Sequence, residues 1–415
     1  MRTPSGLALR VTVLATPLLL GALAVPSGGL FRGAKFRDLH LYQEYGDALL
    51  DGRLPYRDVF VEYPPGAIPL FAAPSLAPGG AYDALFKALM TLCAIGTIYL
   101  VTLVLARRGA AVPELAIAAA FLALVPIALG PVSLNTYDAW PAVLTVGALA
   151  ALVYRRGTLA LGLLGAAFAA KLYAIVLVPL ALIHLGRAAA GRALAVFAAV
   201  AALLVVPWLA LSPHGVWESV HAQLGRGLHA ESFAASVLLA GDRLGIYRSH
   251  VVKTTHPAVS RDLAGDLPHA LGYATSVLAV SAVVAVWFLY FRRRGRLEVA
   301  FAAAIAGALA FAKVLSPQYL VWLIPFVPFG GLAAGALFVG ALALGQSWYF
   351  HYRELWAVGP QVWTLLARNL VLVALYALFL WKTSTPSRSK TSSQSGFCRS
   401  RTSAAAAGSG ATRSA

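Results

Sequence analysis

The sequence predicts an all-α integral membrane protein, a polytopic bundle of about 12 transmembrane helices. Three observations carry this. Sixty per cent of the residues are apolar, only 12% are charged, and apolar runs of membrane-spanning length recur along the whole chain. Mean hydropathy is +0.75.

Taken in order, spans are expected at Leu7 to Val25, Ala84 to Ala106, Val112 to Gly130, Ala139 to Tyr154, Ala193 to Leu211, Leu271 to Phe291 and Val362 to Trp381. Four shorter pieces form two pairs, Thr158 to Ala170 with Leu172 to Leu185, and Leu297 to Ala312 with Tyr319 to Phe329. A further span, Gly331 to Trp348, follows the second pair. Some pieces are too short to cross ~30 Å of hydrocarbon as straight helices rising 1.5 Å per residue, so each pair reads as a helical hairpin. Ala22-Leu23-Ala24 resembles a signal-peptidase site, but the run before it is of span length and an intact first segment makes the span count even, so it is expected to stay.

Orientation follows from the basic residues. They collect at Arg107/Arg108, Arg155/Arg156, Arg187/Arg192, Arg292/Arg293/Arg294/Arg296 and beyond Trp381, and with both pairs as hairpins all fall on one side, which the positive-inside rule makes cytoplasmic. That side holds 18 of the 33 Lys and Arg with only Glu114 and Glu298, about +16 against about +1 outside. The net +17 is therefore topology and not a nucleic-acid footprint. The membrane domain is expected over residues 1–382, with outer-face loops at about 28–83, 212–270 and 351–360; residues 383–415, rich in Ser, Thr, Ala and Arg, read as a disordered cytoplasmic tail. Cys93 lies within a span and Cys398 in the tail, so no disulfide is expected.

Chemistry is expected on the outer face, because Asp38 to Pro65 holds six carboxylates in a chain otherwise suited to lipid. Tyr42, Tyr45 and Leu49 are spaced for one face of a short amphipathic helix over Asp38 to Leu50, ended by Gly52. Asp38 then reads as an N-cap, a catalytic group, or both. Asp58 and Glu62, with Arg57 beside them, read as a solvated salt-bridged turn or as further acid/base groups, and Pro64-Pro65 imposes an extended entry into the next segment. In the second loop Val216, Val220, Leu224 and Leu228 suggest an interfacial helix carrying His221, Arg226, His229 and Glu231. A metal site at His221, His229 and Glu231 is disfavoured by their spacing across Gly225, and none is expected; Arg226 suits an anion better, since guanidinium matches phosphate geometry. Lys171 and Lys313 sit at the two hairpin tips, where they either snorkel to the interface or face a cavity.

These strings form a pattern. DLHLYQEYGDALLDGRLPYRDVFVEYPPGAIPLF, TYDAWPA, AAKLYAIVLVPL, RGLHAES and SPQYLVWLIP, in this order from about residue 30 to 330, resemble glycosyltransferase family 87; YRD-x-x-x-EYPP is the most specific of them. The resemblance implies a GT-C-like membrane enzyme with its active site on the extracytoplasmic face of the cell membrane. It implies transfer of a hexose, mannose first, from a polyprenyl-phosphate donor to a glycan or glycolipid acceptor of the cell envelope, with inversion. By motif position Asp38 matches the first-loop aspartate that serves as general base, with Asp58 as competitor and Glu62 as a second acid/base group. Arg226, Lys171 and Lys313 are the expected ligands of the donor phosphate. Tyr42, Tyr56, Arg57, Tyr63, Asp138, Glu231, Gln318 and Tyr319 are expected to touch substrate. No metal and no other cofactor is implied, because Arg and Lys can neutralise a monophosphate. Arabinose or glucose in place of mannose would keep the mechanism. The competing class is a secondary transporter, whose sites also use broken helices with charged tips.

Overall fold

The computed structural model describes residues 3–26, 38–77, 80–254, 260–350 and 359–385. Six helices in it are long and apolar enough to cross a membrane: α1 (Pro4–Val25), α4 (Tyr82–Arg107), α5 (Val112–Leu129), α10 (Arg187–Leu211), α13 (Asp266–Arg293) and α16 (Gln361–Ser384). Shorter elements fill the other expected places: α7 (Ala139–Val153), α8 (Gly157–Ala170), α9 (Val178–Leu185), α14 (Leu297–Ala310), α15 (Leu332–Phe350) and two 3-10 segments, Pro317–Trp322 and Ile324–Gly330. The protein is an all-α polytopic membrane protein.

Proline explains why the hairpin arms are broken. After α8 the chain becomes extended at Lys171 (φ −157°, ψ 121°), winds as a 3-10 helix over Leu172–Leu177, and resumes as α9 with Pro179 in its first turn. A continuous α-helix would drive the Pro179 ring into the carbonyl of Ile175; the tighter winding avoids this. Pro317, Pro325 and Pro328 fragment the second arm in the same way. The first pair closes as a hairpin, for a methyl group on Gly157 at the start of α8 would stand 2.6 Å from Leu185 at the end of α9. Between the two arms of the second pair, Phe301 and Phe326 meet at 6.0 Å. Helix α14 forms the centre of the core, buried along almost its whole length by Ala and Gly that let neighbouring backbones approach.

The two ends of the bundle differ. At one, Glu298 receives Arg108 (3.2 Å) and Arg296 (2.9 Å), the Arg294 guanidinium donates to the Ile183 carbonyl, and His184 Nδ1 meets the Tyr290 hydroxyl at 2.9 Å. This is the end expected to be basic. The described parts of the connections at the other end are longer and carry helices and strands. Helix α2 (Asp38–Leu50) has the expected bounds, buries Tyr42 and Tyr45, and is followed by Gly52 at φ +78°. Pro64 is extended (φ −62°, ψ 150°) as its sequence required.

After Pro64 a short helix that sequence did not suggest, α3 (Ile68–Ser75), packs against α2 and α4. Two glycines make its seating possible. A Cβ on Gly46 would lie 2.3 Å from the Phe71 carbonyl oxygen, and one on Gly66 would lie 2.5 Å from the Ala169 backbone. The first loop is thereby pressed onto the end of α8, next to Lys171.

The second loop departs further from expectation. Its helix, α11 (Pro213–Leu224), stops at Gly225, so Leu228 is not part of the helical stripe. Leu228 and His229 instead form strand β1 of a small antiparallel sheet with β2 (His250–Thr254) and β3 (Ser260–Ala264), in the order β1-β3-β2. Leu228 pairs with Leu263, and His229 with Asp262. Gly225 and Gly227 weaken helix continuation on either side of Arg226, and the β3 ladder takes up the freed backbone groups. Between β1 and β2 runs α12 (Phe233–Arg243), capped by the Ser232 side chain, which accepts from Ala235 N at 3.3 Å. Helix α6 (Val132–Asn135) leads into α7. The expected tail falls almost entirely outside the described residues, as does most of the third outer loop; α16 itself runs on to Ser384.

Candidate active site

The first centre forms where α7 begins and α8 breaks. Asp138, just ahead of α7, is completely buried. Its Oδ1 accepts the Trp322 indole N–H at 2.6 Å and lies 3.0 Å from Lys171 Nζ. Its Oδ2 is buried without a hydrogen-bond partner. The Lys171 ammonium lies 4.4 Å from the centre of the Tyr137 ring, with Tyr319 at 5.4 Å, Tyr63 at 5.5 Å and Trp322 at 5.6 Å, an aromatic cage that favours a cation. Trp322 is itself sandwiched, stacking on Tyr173 at 4.2 Å and on Tyr319 at 4.5 Å. Behind the cage, Tyr42 stacks on Phe71 at 4.5 Å and meets Tyr63 and Tyr137 edge-on.

Asp38 opens α2 one turn before Tyr42 and keeps part of its surface accessible. Burial pushes its carboxyl up from the ordinary 3.8 to about 7; the negative charges of Glu62 and Asp138 add to the effect, while Lys171 and the Tyr42 hydroxyl oppose it. Asp38, Glu62, Asp138 and Lys171 therefore share one electrostatic environment, built by α2, the turn before α3, α7 and the broken end of α8.

Asp58 stands apart. It is exposed and held by both Arg57 Nε and a terminal Arg57 nitrogen, each at 2.9 Å, and it accepts from Leu54 N at 2.8 Å. The Arg57 guanidinium, first of these, keeps its carboxyl below the usual value. Here the bland expectation, a salt-bridged turn, describes the geometry. Tyr56 is buried, and its hydroxyl donates to the Tyr63 carbonyl at 2.6 Å.

The second centre lies in the second loop. Arg226 donates to Ser260 Oγ (3.1 Å), which donates to Asp262 Oδ1 (2.8 Å), while Arg226 Nε is buried without a partner. Lys313 Nζ donates to the Leu224 carbonyl at 2.9 Å, and its backbone carbonyl accepts from His229 N at 2.9 Å. His229 is buried with Nδ1 unpartnered; burial, reinforced by Arg226, lowers its pKa from 6.5 to about 3, so the ring is neutral. Glu231 is buried against Arg368 of α16 at 3.4 Å, and burial raises its pKa to about 7 despite that partner. The residue before Leu224 joins the two centres, for Gln223 Nε2 donates to the Glu62 carbonyl at 3.1 Å.

The expected residues thus divide into two groups. Asp38, Tyr42, Glu62, Tyr63, Asp138, Lys171 and Tyr319 meet in the first, with Gln318 buried beside Tyr319. Arg226, Glu231 and Lys313 meet in the second. The Lys171 amine is paired with Asp138, whereas Lys313 is grouped with Arg226 and Asp262. His221 stacks at the surface on Trp217 and is not drawn into the second centre. Sequence reasoning passed over Trp322, Asp262, Arg368 and Asn369. For Arg368 a signal existed: a lone charge within the run Val362 to Trp381.

The model of glycosyltransferase family 87 matches residues 60–317, more than half of the chain. The chain belongs to glycosyltransferase family 87. As a family 87 member it is a membrane glycosyltransferase, and the transporter reading falls away. The matched residues include Glu62, Asp138, Lys171, Arg226, Glu231 and Lys313, and they begin after Asp38 and Asp58. A search of curated proteins found no match to the chain.

Proposed function

We propose that this family 87 enzyme moves a hexose, mannose first, from a polyprenyl-phosphate donor to a hydroxyl of a glycan or glycolipid acceptor, with inversion, on the outer face of the cell membrane. The observation that carries the proposal is Asp38, a partly accessible carboxyl with its pKa raised to about 7 at the edge of the Asp138–Lys171 centre. An acceptor hydroxyl must lose its proton as it attacks the anomeric carbon, and a base is most effective with a pKa near the working pH. Asp58, solvated and bound to Arg57, is a weaker base and is assigned to the turn. Glu62 orients sugar hydroxyls beside Asp38.

The leaving group is a phosphate whose charge grows in the transition state, so it needs cationic donors there. Arg226 and Lys313 fill this role, Arg226 with a nitrogen not yet engaged by protein. Lys171 contributes to the field while fixed by Asp138. Tyr42, Tyr63, Asp138, Gln318 and Tyr319 line the sugar side, and Tyr56 and Arg57 hold the first loop. No metal is needed in this scheme.

The test is turnover by purified protein with polyprenyl-phosphate mannose and a mannose-containing acceptor, without nucleotide sugar or added metal. Release of polyprenyl phosphate with formation of a glycosidic bond is expected. Turnover only with polyprenyl-phosphate arabinose or glucose would correct the sugar, and turnover only with a nucleotide sugar would overturn the donor class.

A further inference from the structure

Helix α16 lies outside the matched residues, yet it holds the centre of the second loop. The Arg368 side chain is completely buried and Asn369 nearly so. A terminal Arg368 nitrogen faces Glu231 Oε2 at 3.4 Å, the other donates to the Glu231 carbonyl, and Arg368 Nε donates to Asn369 Oδ1 at 3.1 Å. Asn369 Nδ2 donates to the same Glu231 carbonyl at 3.1 Å and to Ser236 Oγ at 3.0 Å. One backbone carbonyl thus receives two side chains of a membrane helix. On its far side the same stretch is held by β3, through the His229–Asp262 register and Ala230 N to the Arg261 carbonyl at 2.8 Å.

Attachment alone does not call for this arrangement. Leu228, Leu239, Val362 and Leu365 already form an apolar contact between the loop and α16. Apolar residues in place of a buried ion pair are often neutral or stabilising, because desolvating two charges costs as much as their attraction returns. What directional hydrogen bonds add is a fixed backbone position. Five residues before Glu231 stands Arg226 and two before it His229, each with an unpartnered buried nitrogen.

We infer that Arg368 and Asn369 are positioning residues for the donor phosphate: by clamping Glu231 they fix where Arg226 presents its free Nε. This rests on the phosphate-site reading of the second loop. The clamp acts on ligand placement, so its loss is felt in donor binding before acceptor binding.

The test measures equilibrium binding of polyprenyl phosphate to the purified protein, together with the donor and acceptor KM and kcat. Arg368→Gln is expected to weaken polyprenyl phosphate binding and raise the donor KM at least tenfold, with acceptor KM changed less than twofold. Asn369→Leu, which keeps volume and charge, is expected to shift the donor in the same direction by a smaller factor even if Arg368→Gln fails to fold. Adding Glu231→Gln to Arg368→Gln should cost little more, as coupled residues do. Unchanged polyprenyl phosphate binding in a folded Asn369→Leu protein, or equal loss for donor and acceptor, overturns the clamp while the donor reading stands. Wild-type protein that neither binds polyprenyl phosphate nor turns over any polyprenyl-phosphate sugar overturns the donor reading and the clamp with it.

Discussion

Lys171 and Asp138 form a buried ion pair, Nζ to Oδ1 3.0 Å, at the point where α8 breaks and α7 begins. Thirty-three residues apart in sequence, they meet because the first hairpin places its tip beside the start of the preceding helix. The pair is neutral overall, which allows two charges at such depth. A second hydrogen bond from Trp322 fixes the carboxylate.

Removing either partner leaves the other charge uncompensated. Asp138→Asn or Lys171→Met alone should destabilise the protein by about 3–5 kcal/mol, whereas the double variant should cost less than the sum. Thermal unfolding in detergent of the two single variants and the double checks this. Additive losses would mean that the pair is energetically uncoupled.

Asp38 should control both rate and pH dependence. Asp38→Asn is expected to lower kcat by roughly 100- to 10,000-fold, as loss of a general base does. Asp58→Asn should leave turnover near wild type, and the reverse outcome would move the base to Asp58. In wild type kcat/KM should rise with pH and level off above about 7, because the base must be ionised to work. Stability runs the other way. The folded state holds the Asp38 proton more tightly than the unfolded chain, so this group's contribution is present below about 3.8 and lost as pH rises through about 7. Asp38→Asn should therefore unfold at a temperature no lower than wild type at pH 8.

Sidedness is open to direct labelling. Lys171 is a poor reporter because it is buried, but Asp51 and Trp217 are exposed at the end that carries both centres, and Arg293 at the opposite end. With Cys93 and Cys398 replaced by Ser, single cysteines at 51 and 217 should react with a membrane-impermeant reagent on intact cells. One at 293 should react only after permeabilisation. The inverse pattern would put the active site on the cytoplasmic side.

Where the chain follows local rules, its sequence already determined the structure. The span positions follow from apolar length, the fragmentation of the second hairpin arms from Pro179, Pro317, Pro325 and Pro328, and the Asp38–Leu50 helix from its Tyr42/Tyr45/Leu49 face and Gly52. Each depends on forces acting within a few residues or between the chain and lipid. Family-specific strings carried the assignment to family 87, since spacing alone left enzyme and transporter both open.

Tertiary structure decided which of the singled-out residues share a site. Asp38 and Asp58 look alike as sequence, yet one is ringed by Glu62, Asp138 and Tyr42 while the other is fastened in solvent by Arg57. Lys171 and Lys313 look like equivalent hairpin tips, yet one is paired with Asp138 and the other reaches the Leu224 carbonyl. The β1-β3-β2 sheet and the Arg368–Glu231 clamp join residues up to 137 positions apart. Burial, pKa and pairing depend on neighbours that only packing supplies, and no local pattern in the chain encodes them.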